Sequence, residues 1–140
     1  MTHLVMRSRS RAVHLAAVLA GSAVALSCHS PTEPDLSNLA GTWEDITNTN
    51  CNGSRQLFVQ VAQTGAEFTT FDTTLQADLS GHISGSTATL HVSWRGCGGS
   101  ADGSLSIENG RVAGSFSGTA TGADPSCCGT VNGTITWWKR

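Results

Sequence analysis

The 140-residue chain contains no tyrosine, only three prolines, and few charged residues, at 13%. From Ala40 onward it carries no convincing stripe of apolar residues at helical spacing, which argues against a helical bundle. Its one long uncharged apolar run, Ala12 to Leu26, falls short of the ~20 residues that a membrane-spanning helix needs. Positive charge is also scarce. Three of the eight basic residues are Arg7, Arg9 and Arg11, whereas all ten acidic residues follow Cys28, so the chain from Cys28 onward has five basic residues against ten acidic ones, a net charge of −5. An acidic domain is repelled by a phosphate backbone, and nucleic acid is not an expected partner. Cysteine is limited to five, without the C-x2–4-C spacing of a zinc site, so no metal and no cofactor is expected.

What is present begins with a targeting segment. Three arginines ahead of an apolar run read as a secretion signal. The run ends in "VALSC", which resembles the lipobox of bacterial lipoproteins, although Ala25 stands where that family usually has Leu. The resemblance implies a signal peptide over 1–27 and a diacylated Cys28 as the first mature residue. It also implies sorting to the outer membrane, because His29 occupies the position where Asp favours inner-membrane retention. Residues 28–39 hold two of the three prolines and no periodic pattern, and read as a lipidated tether.

Residues 40–140 alternate. "STATLHVSW" sets Ala88, Leu90, Val92 and Trp94 on one face and Thr87, Thr89, His91 and Ser93 on the other. Two-residue turns at Gly85-Ser86 and Asn109-Gly110 set Ile83 against Ala88 and Leu79 against Val92, then Ile107 against Val112, Leu105 against Gly114 and Gly103 against Phe116. A turn at Thr64-Gly65 sets Val61 against Phe68 and pairs Phe58 with Phe71 on the other face. A connection at Thr73-Thr74 aligns Phe68 with Leu79 and Thr70 with Ala77.

Eight strands are expected, near 41–48, 55–63, 66–72, 75–83, 87–95, 101–108, 111–120 and 129–138. An all-β, antiparallel, up-and-down meander with one apolar face closes most simply into an eight-stranded barrel, because closure removes exposed edges. The alternative is a two-sheet β-sandwich.

"GTW", Gly41 to Trp43, opens the first strand as the Gly-x-Trp motif does in lipocalin and avidin-like barrels, and the body resembles small lipocalin-like bacterial lipoproteins. The resemblance implies that Trp43 closes the barrel floor beneath a basic side chain of the last strand, either Lys139 or Arg140. The missing tyrosine leaves no basis for carrying over the avidin biotin site.

In such a barrel, the loops after strands 1, 5 and 7 share one rim. They carry Cys51, Cys97, and the adjacent pair Cys127 and Cys128. The adjacent cysteines are expected to bond one each to Cys51 and Cys97, in either connectivity; a vicinal bond is the strained alternative.

The expected interior is Trp43, Leu57, Val59, Val61, Phe68, Leu75, Leu79, Ile83, Leu90, Val92, Trp94, Leu105, Ile107, Val112, Phe116, Val131, Ile135 and Trp137, with no carboxylate except Asp72 at a strand end. That composition argues against a buried acid–base pair, and no catalytic residue is assigned. On the outer face, Ser80 lies opposite His91 and Asp78 opposite Ser93, with His82 diagonal to His91. These are residue types of a serine triad, but a convex wall supplies no oxyanion hole.

Taken together, these features predict a non-enzymatic binding or interaction module lipid-anchored to the outer membrane, on its periplasmic side or alternatively at the cell surface, with the membrane itself and an envelope protein as its partners. The alternative is a carrier of a small apolar ligand lined by Trp43, Trp94, Phe116 and Trp137. A hydrolase is a distant third reading. Strand parity also brings the tether and the terminal "TWWKR" to one end, where Trp138, Lys139 and Arg140 suit a lipid headgroup region.

Overall fold

The computed structural model describes residues 37–140; the expected signal peptide over 1–27, Cys28 and most of the expected tether lie outside the described residues. Eight antiparallel strands close into one barrel in chain order: β1 (Gly41–Thr49), β2 (Gly53–Thr64), β3 (Glu67–Asp72), β4 (Ala77–Ser84), β5 (Thr87–Trp94), β6 (Ser100–Glu108), β7 (Arg111–Ala120) and β8 (Gly129–Lys139). β8 returns to β1, with Trp43 opposite Lys139 and Thr49 opposite Gly133. Every strand therefore has two neighbours and no edge is left to aggregate.

The tight turns at Gly85-Ser86 and Asn109-Gly110 set the registers expected of them: Ile83 faces Ala88, Ile107 faces Val112 and Gly103 faces Phe116. Gly110, at φ +73°, supplies the left-handed conformation such a turn requires.

Two expected registers are wrong by two residues. The β2–β3 turn lies at Gly65-Ala66, so Phe68 faces Gln63 rather than Val61. The β3–β4 connection is the four residues 73–76, so Phe68 faces Gly81, Thr70 faces Leu79 and Asp72 faces Ala77. A shift of two preserves which face each side chain occupies, so the core survives the error. Phe58 and Phe71 are not partners: Arg140 lies over the Phe58 ring and Arg95 over the Phe71 ring.

The core holds most of the expected residues. Leu57, Leu75 and Trp94 are only partly buried, and Leu75 sits in the β3–β4 connection rather than in a strand. Large side chains fill the space that glycines leave: the Phe116 ring lies where a side chain on Gly133 would be, and the Phe68 ring where one on Gly81 would be. Leu39, which the sequence reading left in the tether, is fully buried instead, and its carbonyl accepts a hydrogen bond from Trp43 Nε1 at 2.7 Å. Lys139 is the basic residue over the floor, its Nζ 4.6 Å from the centre of the Trp43 ring and bonded to the Ala40 carbonyl.

Candidate functional site

Three places in the barrel concentrate chemistry. The first is the rim opposite the chain entry, where Cys51 is bonded to Cys128 and Cys97 to Cys127, with Cα separations of 5.8 and 5.6 Å. Each of the adjacent cysteines thus ties the β7–β8 loop to a different neighbour. Asn50 reinforces the first tie: its backbone N–H donates to the Asn132 carbonyl, its side-chain amide donates to the Thr130 carbonyl, and its side-chain oxygen accepts from the Asn132 N–H. Beneath the staples lies a small cavity of about 80 Å³ bordered by Leu75, Trp94, Cys97, Ala120 and Val131.

The four aromatic residues expected to line a ligand separate into two clusters. Trp43 and Trp137 sit 6.4 Å apart in the floor half, with Phe68 packed edge-on against Trp137. Trp94 and Phe116 sit 6.4 Å apart toward the rim. Trp43, Trp137 and Phe116 are buried, whereas Trp94 is partly exposed and its indole N–H donates to the Thr119 carbonyl. Of the four, Trp94 borders the rim cavity.

The second place is the interior itself, and it corrects the expectation that no carboxylate except Asp72 joins the core. Asp45 and Asp72 are both completely buried. Asp45 lies opposite Leu57 on β2 and Trp137 on β8. The Thr47 hydroxyl is 2.9 Å from both of its carboxyl oxygens. Asp72 ends β3 and uses one oxygen to cap the following turn, accepting the backbone N–H groups of Thr74 and Leu75 at 2.7 and 2.9 Å. Its other oxygen is buried and accepts from no N–H or hydroxyl group, which leaves the Asp45 carboxyl as its hydrogen-bonding neighbour.

Burial, and after it the neighbouring charge of Asp72, push the Asp45 carboxyl from 3.8 up to about 7, while the Thr47 hydroxyl and the Trp137 indole pull the other way. Asp72 is also raised by burial, against the two backbone N–H groups. The indole N–H of Trp137 finds no acceptor at full hydrogen-bonding geometry, yet it still favours the charged form of Asp45. Among the described residues, the buried polar and charged ones are Asp45, Thr47, Thr49, Thr70 and Asp72, so no cation among them is buried to neutralise the pair. A proton held by Asp45 and turned toward Asp72 is the cheapest way to keep both carboxyls in this medium.

This signal was present in the sequence. Trp43, Asp45, Thr47 and Thr49 share one parity on β1, so assigning Trp43 to the interior already assigned Asp45 there.

The third place is the outer wall. Ser80 lies opposite His91 and Asp78 opposite Ser93, as the hairpin register requires. The histidines turn elsewhere: His91 Nδ1 is 2.7 Å from Asp102 on β6, and His82 Nδ1 is 2.7 Å from Glu67 on β3. Asp78 is held by Arg95 in a two-point pair at 2.6 and 2.8 Å, which keeps its carboxyl below the usual carboxylate range. Among the described residues, no three His, Cys, Asp or Glu side chains are grouped to hold a metal ion. A separate open depression on the β6–β7–β8–β1 wall is lined by small polar side chains, including Asn48, Ser104, Ser115, Ser117, Asn132 and Thr134.

No protein-family model matches this chain, and no curated protein matches it in sequence.

Proposed function

We propose that the protein is a lipid-anchored envelope lipoprotein whose barrel works as a non-enzymatic binding and interaction module, using its outer wall and stapled rim rather than a ligand carried inside. The observation that carries this reading is the filled interior. The space under the rim is about 80 Å³, room for two or three waters, whereas pockets for small organic ligands run to ~300 Å³ or more; the larger depressions, about 900 Å³ beside Phe116 and about 630 Å³ beside Trp43 and Lys139, are open surface hollows and not an interior. Trp43, Trp137 and Phe116 occupy the volume that a carrier would keep open. The rim supports the reading from another side: two disulfides and the Asn50 bonds hold its loops in one arrangement, and a preorganised loop surface loses little entropy on meeting a partner. The acid pair lies beyond the reach of a substrate in this closed barrel.

Membrane attachment rests on the lipobox-like "VALSC". Cys28→Ser should abolish lipid labelling and release the protein from membranes; a variant that still fractionates with membranes, its label retained, would refute the anchor. Native mass spectrometry of protein recovered from envelope extract should show the chain plus its lipid and nothing else bound. An added small-molecule mass that leaves on denaturation would favour the carrier.

A further inference from the structure

Three large hydrophobic side chains are exposed among the described residues: Phe58 at 63%, Trp138 at 44% and Ile46 at 37%. All three lie on one patch of wall. Glu44 is its centre, with Phe58 directly opposite it on β2 and Trp138 directly opposite it on β8. Ile46 is the next outward residue along β1. Arg111 continues the row beyond Trp138, with its guanidinium 5.4 Å from the indole, and Arg140 lies 5.9 Å from the Phe58 ring while pairing with Glu44. Glu44 also accepts from the Gln56 amide, and the exposed Glu108 of β6 lies opposite Arg111 at 3.7 Å, a solvent-exposed pair that holds the arginine only weakly.

Of the five Lys and Arg residues in the described chain, three (Arg111, Lys139 and Arg140) stand on or beside this patch; of the exposed acids, Glu108 adjoins it opposite Arg111, whereas Glu67, Asp78, Asp102 and Asp124 lie on other strands and loops. Aromatic side chains flanked by arginine are suited to the boundary between acyl chains and anionic headgroups.

The chain enters the barrel at the same end. Ser37 is held to the Gly85 carbonyl of the β4–β5 turn, and eight residues separate it from Cys28. A fully extended segment of that length reaches ~30 Å. Glu44 lies three residues along β1, ~10 Å from its start.

We propose that this wall, formed by Phe58, Ile46 and Trp138 with Arg111 and Arg140, is a membrane-docking face that lays the barrel on its β8–β1–β2 side against anionic lipid. The proposal builds on the lipid-anchor reading but does not share its evidence. It differs from an upright barrel resting on its floor, because Phe58 and Ile46 sit up the wall. Docking would leave the stapled rim and the β3–β6 wall free for partners.

The test uses brominated phospholipids, which quench only tryptophan at the bilayer. Lipidated protein is reconstituted in phosphatidylethanolamine vesicles with and without phosphatidylglycerol, and unlipidated full-length protein is titrated with the same vesicles. Trp138 emission should be quenched in the phosphatidylglycerol vesicles, and the quenching should vanish in Trp138→Phe. Arg111→Gln and Arg140→Gln should each lower the docked-to-free ratio about fivefold, and Phe58→Ser should lower it further.

Membrane-bound protein with no quenching would overturn the docking face and leave the anchor standing. Quenching by added vesicles, with no Cys28-dependent membrane fractionation, would overturn the anchor and leave the face standing. Equal quenching without phosphatidylglycerol would reject anionic lipid as the partner. A dimer in analytical ultracentrifugation that Phe58→Ser dissociates, again without quenching, would assign the patch to a second copy and overturn the proposal.

Discussion

Replacing Asp45 with Asn removes a titrating group from the barrel core while keeping its size and its ability to accept from Thr47. In the folded chain the Asp45 carboxyl is pushed from 3.8 to about 7. Between those values the folded state holds a proton that the unfolded state has already lost, so stability falls as pH rises. The loss begins near the unfolded value and is complete above the folded one. From pH 5 to pH 8 it amounts to about 2.5 kcal/mol, at about 1.36 kcal/mol per unit. Asp72, raised by burial as well, acts in the same direction.

Urea denaturation of the disulfide-intact protein should therefore show a midpoint about 1 to 2 M lower at pH 8 than at pH 5. Asp45→Asn should lose most of that slope and recover about 2 kcal/mol at pH 8. Its amide N–H can donate to Asp72 in place of the Asp45 proton, at any pH. The double variant with Asp72→Asn should be flat. A wild-type midpoint that is constant or rises between pH 5 and pH 8, or an Asn variant with an unchanged slope, would refute the shared proton.

Non-reducing peptide mapping should recover Cys51 joined to Cys128 and Cys97 joined to Cys127, and a vicinal Cys127–Cys128 peptide would contradict the strand order. By loop closure, the first bond, spanning 77 residues, should contribute about 4 to 5 kcal/mol, and the second, spanning 30, about 3 to 4 kcal/mol, measured by comparing the paired Cys→Ser variants in denaturant. Gly133→Ala drives a methyl group into the Phe116 ring and should cost about 1 to 3 kcal/mol, which a companion Phe116→Leu should partly restore. Leu39→Ala should cost about 2 to 5 kcal/mol although it precedes the first strand, and a cost near zero would return Leu39 to the tether.

Which face of each strand points inward was legible in the sequence, because side chains alternate with a period of two and a buried face tolerates no slip of one residue. Gly85-Ser86 and Asn109-Gly110 also set the register, since two-residue turns admit a single pairing. The same parity places all four rim cysteines at one end of the barrel. Where a connection was longer or its glycine ambiguous, as at 64–66 and 73–76, a shift of two residues left the alternation unchanged, so the pattern could not detect it.

Four features were decided by the closed barrel alone. Which adjacent cysteine bonds to which partner depends on the direction each side chain leaves the loop. Leu39 becomes core because the barrel floor is open until a side chain from before β1 fills it. Phe58, Ile46 and Trp138 form one patch because β8 returns to β1 and brings residues about 80 to 90 positions apart into adjacent rows. Asp45 and Asp72, 27 residues apart on strands that do not pair, become a coupled carboxyl pair only because closure turns both strands' inner faces onto a single dry volume, where neither charge can reach water.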